Sequence, residues 1–232
     1  MVLTDSDSMK KAAAEKAVND YVRDGMTVGL GTGSTAYFAI KHLGKRVAEE
    51  GLEISCVSTS EISARIGREC GLNVVPFEGT GKIDVTIDGA DEIDPDLQLI
   101  KGLGGALLRE KIVAAATEKE IIIADDSKLV EKLGSVCPLP VEVLRFGYER
   151  TKFALEKQGC EAVLRMKDGE IFVTDGGNYI YDCKFEVIDR PFFLESRINV
   201  IPGVVDNGLF LNVASAAVVV EKSGNVKTIT RL

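Results

Sequence analysis

From Met26 to Ala124 short apolar runs alternate with segments of helical spacing, and this rhythm restricts the chain more than any other feature. Met26–Leu30 is an apolar run of strand length. Gly31–Thr35 is a loop of glycine and hydroxyl residues, and Ala36, Ile40, Leu43 and Val47 then recur at the spacing that lines one face of a helix, until Gly51. The pattern continues with a strand at Ile54–Val57, a helix over Ser60–Cys70 stopped by Gly71, a short strand at Val74–Val75 and a buried strand at Ile83–Ile87. A short strand over Leu97–Ile100, a helix over Ala106–Ala116 and a strand at Ile121–Ala124 complete it, and a helix over Ser8–Val22, closed by Gly25, precedes it. Strands alternating with helices predict an α/β fold, a Rossmann-like parallel sheet with helices on both faces, whose ligands bind at the carboxyl ends of the strands. The loops at Gly31, Ser58, Asp88 and Asp125 all fall on that edge.

From about Ser135 the rhythm changes. Val141–Leu144 reads as a strand, Tyr148–Gln158 as a helix, and Ala162–Met166 and Ile171–Thr174 as a hairpin turning at Lys167-Asp168-Gly169. Tyr179–Cys183 is a further strand and Pro191–Arg197 a further helix, so the segment matches a small α+β unit of the ferredoxin-like, split βαβ kind. Leu209–Val213, Ala216–Val220 and Val226–Ile229 are apolar or β-rich and return to the first domain. The expected organisation is a Rossmann-like domain formed by residues 1–134 and 204–232, with a small α+β domain inserted at 135–203.

Composition removes several classes of function. A chain of 232 residues with 45% hydrophobic content buries a full core. Its net charge of −8 opposes general polyanion binding, which needs a basic face to neutralise phosphates. Five scattered cysteines without a Cys-x-x-Cys pair disfavour a disulfide framework and a structural zinc site, and fit a reducing cytoplasm. The stretch MVLTDSDSMKK lacks the apolar run of a signal peptide, and Leu209–Val220 is too short to span a bilayer, so a soluble protein is expected. The single histidine, His42, beside Lys41 on the second helix, makes a Ser-His-Asp triad improbable.

The chemistry concentrates between Asp88 and Lys111, DGADEIDPDLQLIKGLGGALLREK. Here stand three closely spaced carboxylates (Asp88, Asp91, Glu92), a lysine before a glycine cluster (Lys101, then Gly102, Gly104 and Gly105) and a glutamate, Glu110, in a helix. A glutamate base, a lysine and backbone amides freed by glycine are what removal of a proton beside a carbonyl requires. Asp88 ends an apolar strand on the ligand edge, and Asp91 follows three residues on; Glu92, Asp94 and Asp96 read as a solvated loop, and their spacing matches no calcium loop. Taken alone, Glu110 fits either a base or a helix-surface residue paired with a basic neighbour, and Lys101 either a site residue or an exposed lysine.

GLGTGSTA, from Gly29 to Ala36, leaves a strand and opens a helix, so its backbone amides and the hydroxyls of Thr32, Ser34 and Thr35 suit a phosphate. Gly31–Ala36 also satisfies the dinucleotide pattern, yet the second strand ends in Val57-Ser58-Thr59-Ser60 without the acid that would hold a ribose hydroxyl. No Gly-Lys-Ser/Thr is present, which excludes a P-loop.

Seven stretches in order, GLGTGSTA, STSEIS (Ser58–Ser63), DGADEID (Asp88–Asp94), LIKGLGGALLREKI (Leu99–Ile112), ADDSK (Ala124–Lys128), PLPVEV (Pro138–Val143) and IPGVVDNGLF (Ile201–Phe210), resemble the A-type ribose-5-phosphate isomerases. The resemblance implies an aldose–ketose isomerase interconverting D-ribose 5-phosphate and D-ribulose 5-phosphate in the non-oxidative pentose phosphate pathway, with no metal or organic cofactor. It implies Glu110 as the base moving a proton between C2 and C1, Lys101 as the group stabilising charge on the carbonyl oxygen, and Asp88 and Asp91 at the sugar hydroxyls, with Asp88 assisting ring opening. Substrate contacts would come from Thr32, Gly33, Ser34, Thr35, Asp88, Gly89, Ala90, Asp91, Lys101, Gly102, Leu103, Gly104 and Lys128, with Lys11 an addition to the phosphate site. The small domain would act as a lid or in assembly of a homodimer or homotetramer, and no nucleic-acid or membrane partner is implied. Where many relatives carry an unbroken glycine run this chain has Leu103, whose side chain must turn from the sugar. Two rivals are a non-catalytic sugar-phosphate sensor, which would need a DNA-binding module, and a nicotinamide dehydrogenase, which would need the missing ribose-binding acid.

Overall fold

The computed structural model describes residues 5–231. In chain order its elements are α1 (Asp5–Tyr21), β1 (Thr27–Leu30), α2 (Ser34–Glu50), β2 (Ser55–Ser58), α3 (Glu61–Glu69), β3 (Ile83–Gly89), β4 (Glu92–Ile93), β5 (Leu99–Ile100), α4 (Leu107–Ala115) and β6 (Thr117–Asp125). After a 3-10 turn at Asp126–Lys128 come β7 (Leu139–Val143), α5 (Tyr148–Glu156), β8 (Glu161–Leu164), β9 (Met166–Lys167), β10 (Glu170–Ile171), β11 (Tyr179–Lys184) and α6 (Pro191–Asn199). The last are β12 (Val204–Asn207), β13 (Leu209–Phe210), β14 (Ala214–Val220) and β15 (Val226–Thr230). Two compact units divide them.

The first unit takes the chain up to Ala90, Arg109–Lys128 and the chain from Val213 on. Its sheet has the order β15-β14-β6-β3-β1-β2 and is parallel except for β15, which runs against β14. Leu30 stands opposite both Ser58 and Ile87, and Asp88 opposite Ile122, so the loops after β1, β2 and β3 leave from one edge. The chain reverses direction across the sheet between β1 and β3, the crevice in which such folds take ligands. Ala17 and Val18 of α1 and Ala39, Ile40 and Leu43 of α2 pack on Val28, Leu30, Val85, Ile87, Ile121 and Ile123. Val57, next to Cys56 and therefore on the opposite face, packs with Ile83 and with Val113 of α4, so helices cover both faces. Each such side chain contributes about 1.5–3 kcal/mol on burial. Gly51, with φ 71°, ends α2 by donating its N–H to Val47 O at 3.0 Å, as the glycine stop predicts.

The second unit comprises Asp91–Leu108 and Leu129–Asn212. The succession β7-α5-β8-β11-α6-β12 forms an antiparallel sheet of order β12-β7-β11-β8, the ferredoxin-like arrangement. Leu155 of α5 and Ile198 of α6 pack on Val141, Val143, Ala162, Tyr181 and Cys183. A separate three-stranded sheet, β13-β5-β4, holds Glu92–Ile93 of the acidic run and Leu99–Ile100, which lead into Lys101.

Five features differ from the sequence reading. Val204–Asn207, expected in the Rossmann-like domain, pairs with β7 as β12, because a split βαβ sheet needs its fourth strand beside its first. Residues 91–108, 129–134 and 204–212 therefore group with the smaller unit, outside the expected boundaries of 135 and 203. The strand expected over Leu97–Ile100 is confined to Leu99–Ile100, since Leu97 is in a left-handed conformation with φ 55°. The hairpin at Lys167-Asp168-Gly169 is reduced to β9 and β10, with β8 paired to β11 instead; Asp168 and Gly169 at its turn both have positive φ, 52° and 85°. Val74–Val75 contributes one isolated bridge to Cys56. No helix among the described residues is long and apolar enough to cross a membrane.

Candidate active site

In the first unit the site begins with a close approach that only glycine permits. Gly31 donates its N–H to Ile87 O at 3.0 Å, and a Cβ there would lie 2.2–2.5 Å from Asp88. Asp88, 1% exposed, accepts on Oδ1 from the Thr32 N–H at 3.0 Å and the Gly89 N–H at 2.7 Å. The Thr32 hydroxyl lies 2.7 Å from that of Thr59, 2.8 Å from that of Ser60 and 3.2 Å from that of Ser63. Ser63 donates to Gly31 O at 2.6 Å, and Ser60 caps α3 by accepting the Ser63 N–H at 3.1 Å. The run that lacks a ribose-binding acid is thus a hydroxyl network joining the end of β2 to the Gly31 loop. Gly33, with φ 114°, precedes α2; Gly33 and Ser34 are exposed and Thr35 half-buried at the positive end of that helix.

Glu110 lies in the first turn of α4 and is only 4% exposed. Its neighbour Arg109 pairs with Glu61, Nη1 to Oε1 at 2.7 Å. Burial of Glu110 removes the alternative of a solvated Arg-Glu-Lys face. Lys128 is half-buried in the turn after β6; Asp125 supports that turn by accepting from the backbone N–H of Ser127 at 3.0 Å and from its hydroxyl, while Asp126 accepts the Lys222 N–H at 3.1 Å. Gly89 and Ala90, half-buried, continue from Asp88. Lys11 lies on α1, 3.6 Å from Glu15. His42 has Nε2 2.8 Å from Asn19 Oδ1, and burial pushes its pKa down, so it serves the packing of α2 on α1.

The second unit holds the other candidates. Asp91 donates its N–H to Ile100 O at 2.8 Å and accepts the Leu103 N–H on Oδ2 at 2.9 Å. Lys101, 2% exposed, donates its backbone N–H to Gly208 O at 2.9 Å and sets its ammonium 5.4 Å from the centre of the Phe210 ring. The following turn closes by Gly105 N–H to Gly102 O at 3.0 Å. Gly102 (φ 101°) and Gly105 (φ 85°) are required there, because a Cβ would meet Leu107 at 2.7 Å or Phe172 at 2.4 Å. Between them the Leu103 side chain is 40% exposed, and Gly104 is exposed as well.

Three groups escaped the sequence reading or were misplaced by it. Glu92, expected in a solvated acidic loop, is completely buried and accepts three backbone N–H groups, from Gly134 at 2.5 Å, Val136 at 2.7 Å and Cys137 at 2.7 Å. Asp94 caps its own turn, accepting from Asp96 at 3.0 Å and Gln98 at 2.7 Å. Arg165, unremarked in the sequence, donates to the carbonyls of Gly102 and Leu103 at 2.9 and 3.1 Å. Nothing in the residues around it announces such a long-range contact. Among the described residues no three His, Cys, Asp or Glu side chains are grouped as metal ligands would be.

A doubly wound sheet with glycine amides, hydroxyls and a buried aspartate on its carboxyl edge, followed by a buried glutamate on a helix, defines the class: an α/β enzyme for a small polar ligand. The profile of ribose 5-phosphate isomerase A (phosphoriboisomerase A) matches residues 55–224, and the chain belongs to that family. The ribose-5-phosphate isomerase A of Gloeobacter violaceus is 53% identical over 221 residues, 95% of each chain. Among solved structures, ribose 5-phosphate isomerase from Plasmodium falciparum superposes with a TM-score of 0.94 at 42% identity, covering 97% of this chain and 98% of that one. A D-ribose-5-phosphate isomerase in complex with phospho-erythronic acid superposes equally, TM-score 0.94 at 38% identity, covering 97% and 99%.

Proposed function

We propose that this protein interconverts D-ribose 5-phosphate and D-ribulose 5-phosphate, in the non-oxidative pentose phosphate pathway, by moving a proton between C2 and C1 through an enediolate. The observation that carries the reading is Glu110, a glutamate 4% exposed in the first turn of α4, in a chain of this family. One carboxylate can face two adjacent carbons, and a positioned base of this kind contributes roughly 10²–10⁴-fold. Lys101 stabilises the charge that develops on the carbonyl oxygen, where each preorganised donor adds about 10²–10³-fold. Asp88 and Asp91 engage the sugar hydroxyls, with Asp88 assisting ring opening. Thr32–Thr35 and Lys128 contact the substrate, as do Gly89, Ala90 and the backbone from Gly102 to Gly104. Phospho-erythronic acid, bound by the related isomerase, supports this chemistry: an acid carboxylate places negative charge where an enediolate would develop it.

The non-catalytic sensor is disfavoured, since the relative matched over 95% of the chain is named as an isomerase. We place the enzyme in the cytoplasm as a homodimer or homotetramer. Five free cysteines fit the former, and the exposed Leu144, Phe146, Phe153 and Val200 of the second unit fit the latter. Mixing the purified protein with ribose 5-phosphate, with and without a chelator, tests the reading. Ketose forms at the same rate in both arms if it holds; no ketose would return the protein to the sensor class, and activity lost to the chelator would overturn the metal-free mechanism.

A further inference from the structure

Arg165 follows β8 in the second unit, with its side chain 11% exposed. Its guanidinium forks onto the carboxylate of Asp182 in β11, Nε to Oδ2 at 2.9 Å and Nη2 to Oδ1. The remaining nitrogen, Nη1, reaches the carbonyls of Gly102 and Leu103 at 2.9 and 3.1 Å. The guanidinium also lies 5.8 Å from the centre of Phe172, the ring occupying the space a side chain at position 105 would need. A planar group held on one edge by a fork and on the other by two carbonyls has no rotational freedom left.

Those two carbonyls belong to the peptide units whose N–H groups are carried by Leu103 and Gly104. A charge-assisted bond to a carbonyl polarises its peptide unit and strengthens the N–H on the other side. The Leu103 N–H is given to Asp91 at 2.9 Å; the Gly104 N–H has no acceptor among the described residues, and Gly104 is exposed. A continuous path therefore runs from Asp182 through Arg165 and the glycine turn to Asp91.

We propose that Arg165, anchored by Asp182, is a positioning residue for the isomerase: it fixes and polarises the Gly102–Gly105 turn, presenting Asp91 and the Gly104 amide to the sugar as one preformed unit. The inference rests on the isomerase reading. Small misplacement of positioning groups costs up to about 10²-fold in rate. Arg165→Ala is expected to lose about 10²-fold in kcat/KM, chiefly in kcat. Millimolar guanidinium, well below denaturing levels, restores part of the loss, and equal concentrations of methylammonium or sodium do not. Arg165→Lys, which keeps the charge without the fork, loses about tenfold at a near-native Tm, and serves in place of the alanine variant if that one does not fold. Wild-type kcat/KM in either variant, or a loss that guanidinium leaves untouched in folded Arg165→Ala, would overturn the proposal. Amide hydrogen exchange across residues 101–105 in the ligand-free protein is expected to accelerate in both variants; unchanged exchange counts against Arg165 even if the wild-type protein forms no ketose, an outcome that by itself would reject only the isomerase reading.

Discussion

At the carboxyl end of β3, Asp88 accepts the backbone amide of Thr32, from the loop after β1, and that of Gly89, the last residue of its own strand, on the ligand edge of the parallel sheet. Four residues later Glu92 is as deeply buried but spends both oxygens on one segment, Gly134, Val136 and Cys137. Glu142 in β7 repeats the second pattern, its Oε1 accepting from Thr174 and Asn178, each at 2.9 Å. Burial is common to these three carboxylates; where their donors come from is not. A carboxylate saturated by one neighbouring loop staples that loop, whereas one at a strand end, reached from the loop of the adjacent strand, ties together the sheet edge at which such folds take ligands.

The comparison is sharpened most by Glu110→Gln, which keeps size and burial but removes the carboxylate proposed as the base. Its kcat falls by about 10²–10⁴-fold while Tm stays within a few degrees of wild type; a spectrophotometric ketose assay beside calorimetry checks both. Gly31→Ala forces a Cβ to within 2.2–2.5 Å of Asp88, so the first unit should lose about 1–3 kcal/mol and activity should drop with it. Denaturant titration and kinetics on the same sample measure the two. Glu92→Gln turns the comparison around. It sets an amide against N–H donors and costs about 1–3 kcal/mol of stability, yet the fraction that remains folded keeps its turnover number. A large drop in kcat at unchanged Tm would move Glu92 from staple to site.

The smallest effect concerns pH. Burial pushes the Glu142 carboxyl up against the opposing hydrogen bonds from Asn178 and Thr174. The folded protein then holds a proton that the unfolded chain has released, so this group's contribution to stability declines as pH rises from the ordinary carboxylate range through the raised value. Glu142→Gln should flatten the dependence of Tm on pH in that window; an unchanged slope would assign it to another group.

The parallel sheet was legible because each strand is an apolar run delivered to a turn residue, and because glycine stops such as Gly51 obey backbone geometry. The ferredoxin-like unit was legible in its helices and central strands but not at β12, whose short, half-polar Val-Val-Asp-Asn carries no periodic signal and gains its identity from pairing with β7. Asp88 and Glu110 could be singled out by type and place, although only coordinates separate a buried Glu110 from a solvated one. Glu92 and Arg165 were illegible for one reason. Their partners lie 42–45 and 62–63 residues away, and nothing local encodes a contact of that length.

The role of Glu110 is tested most directly by following deuterium at C2 of labelled ribose 5-phosphate in ordinary water. The wild-type enzyme should wash label into solvent as it forms ketose, and Glu110→Gln should bind the sugar phosphate and retain the label. Wash-out by the variant at the wild-type rate would contradict the account, because the proton would then be moving without the group assigned to carry it.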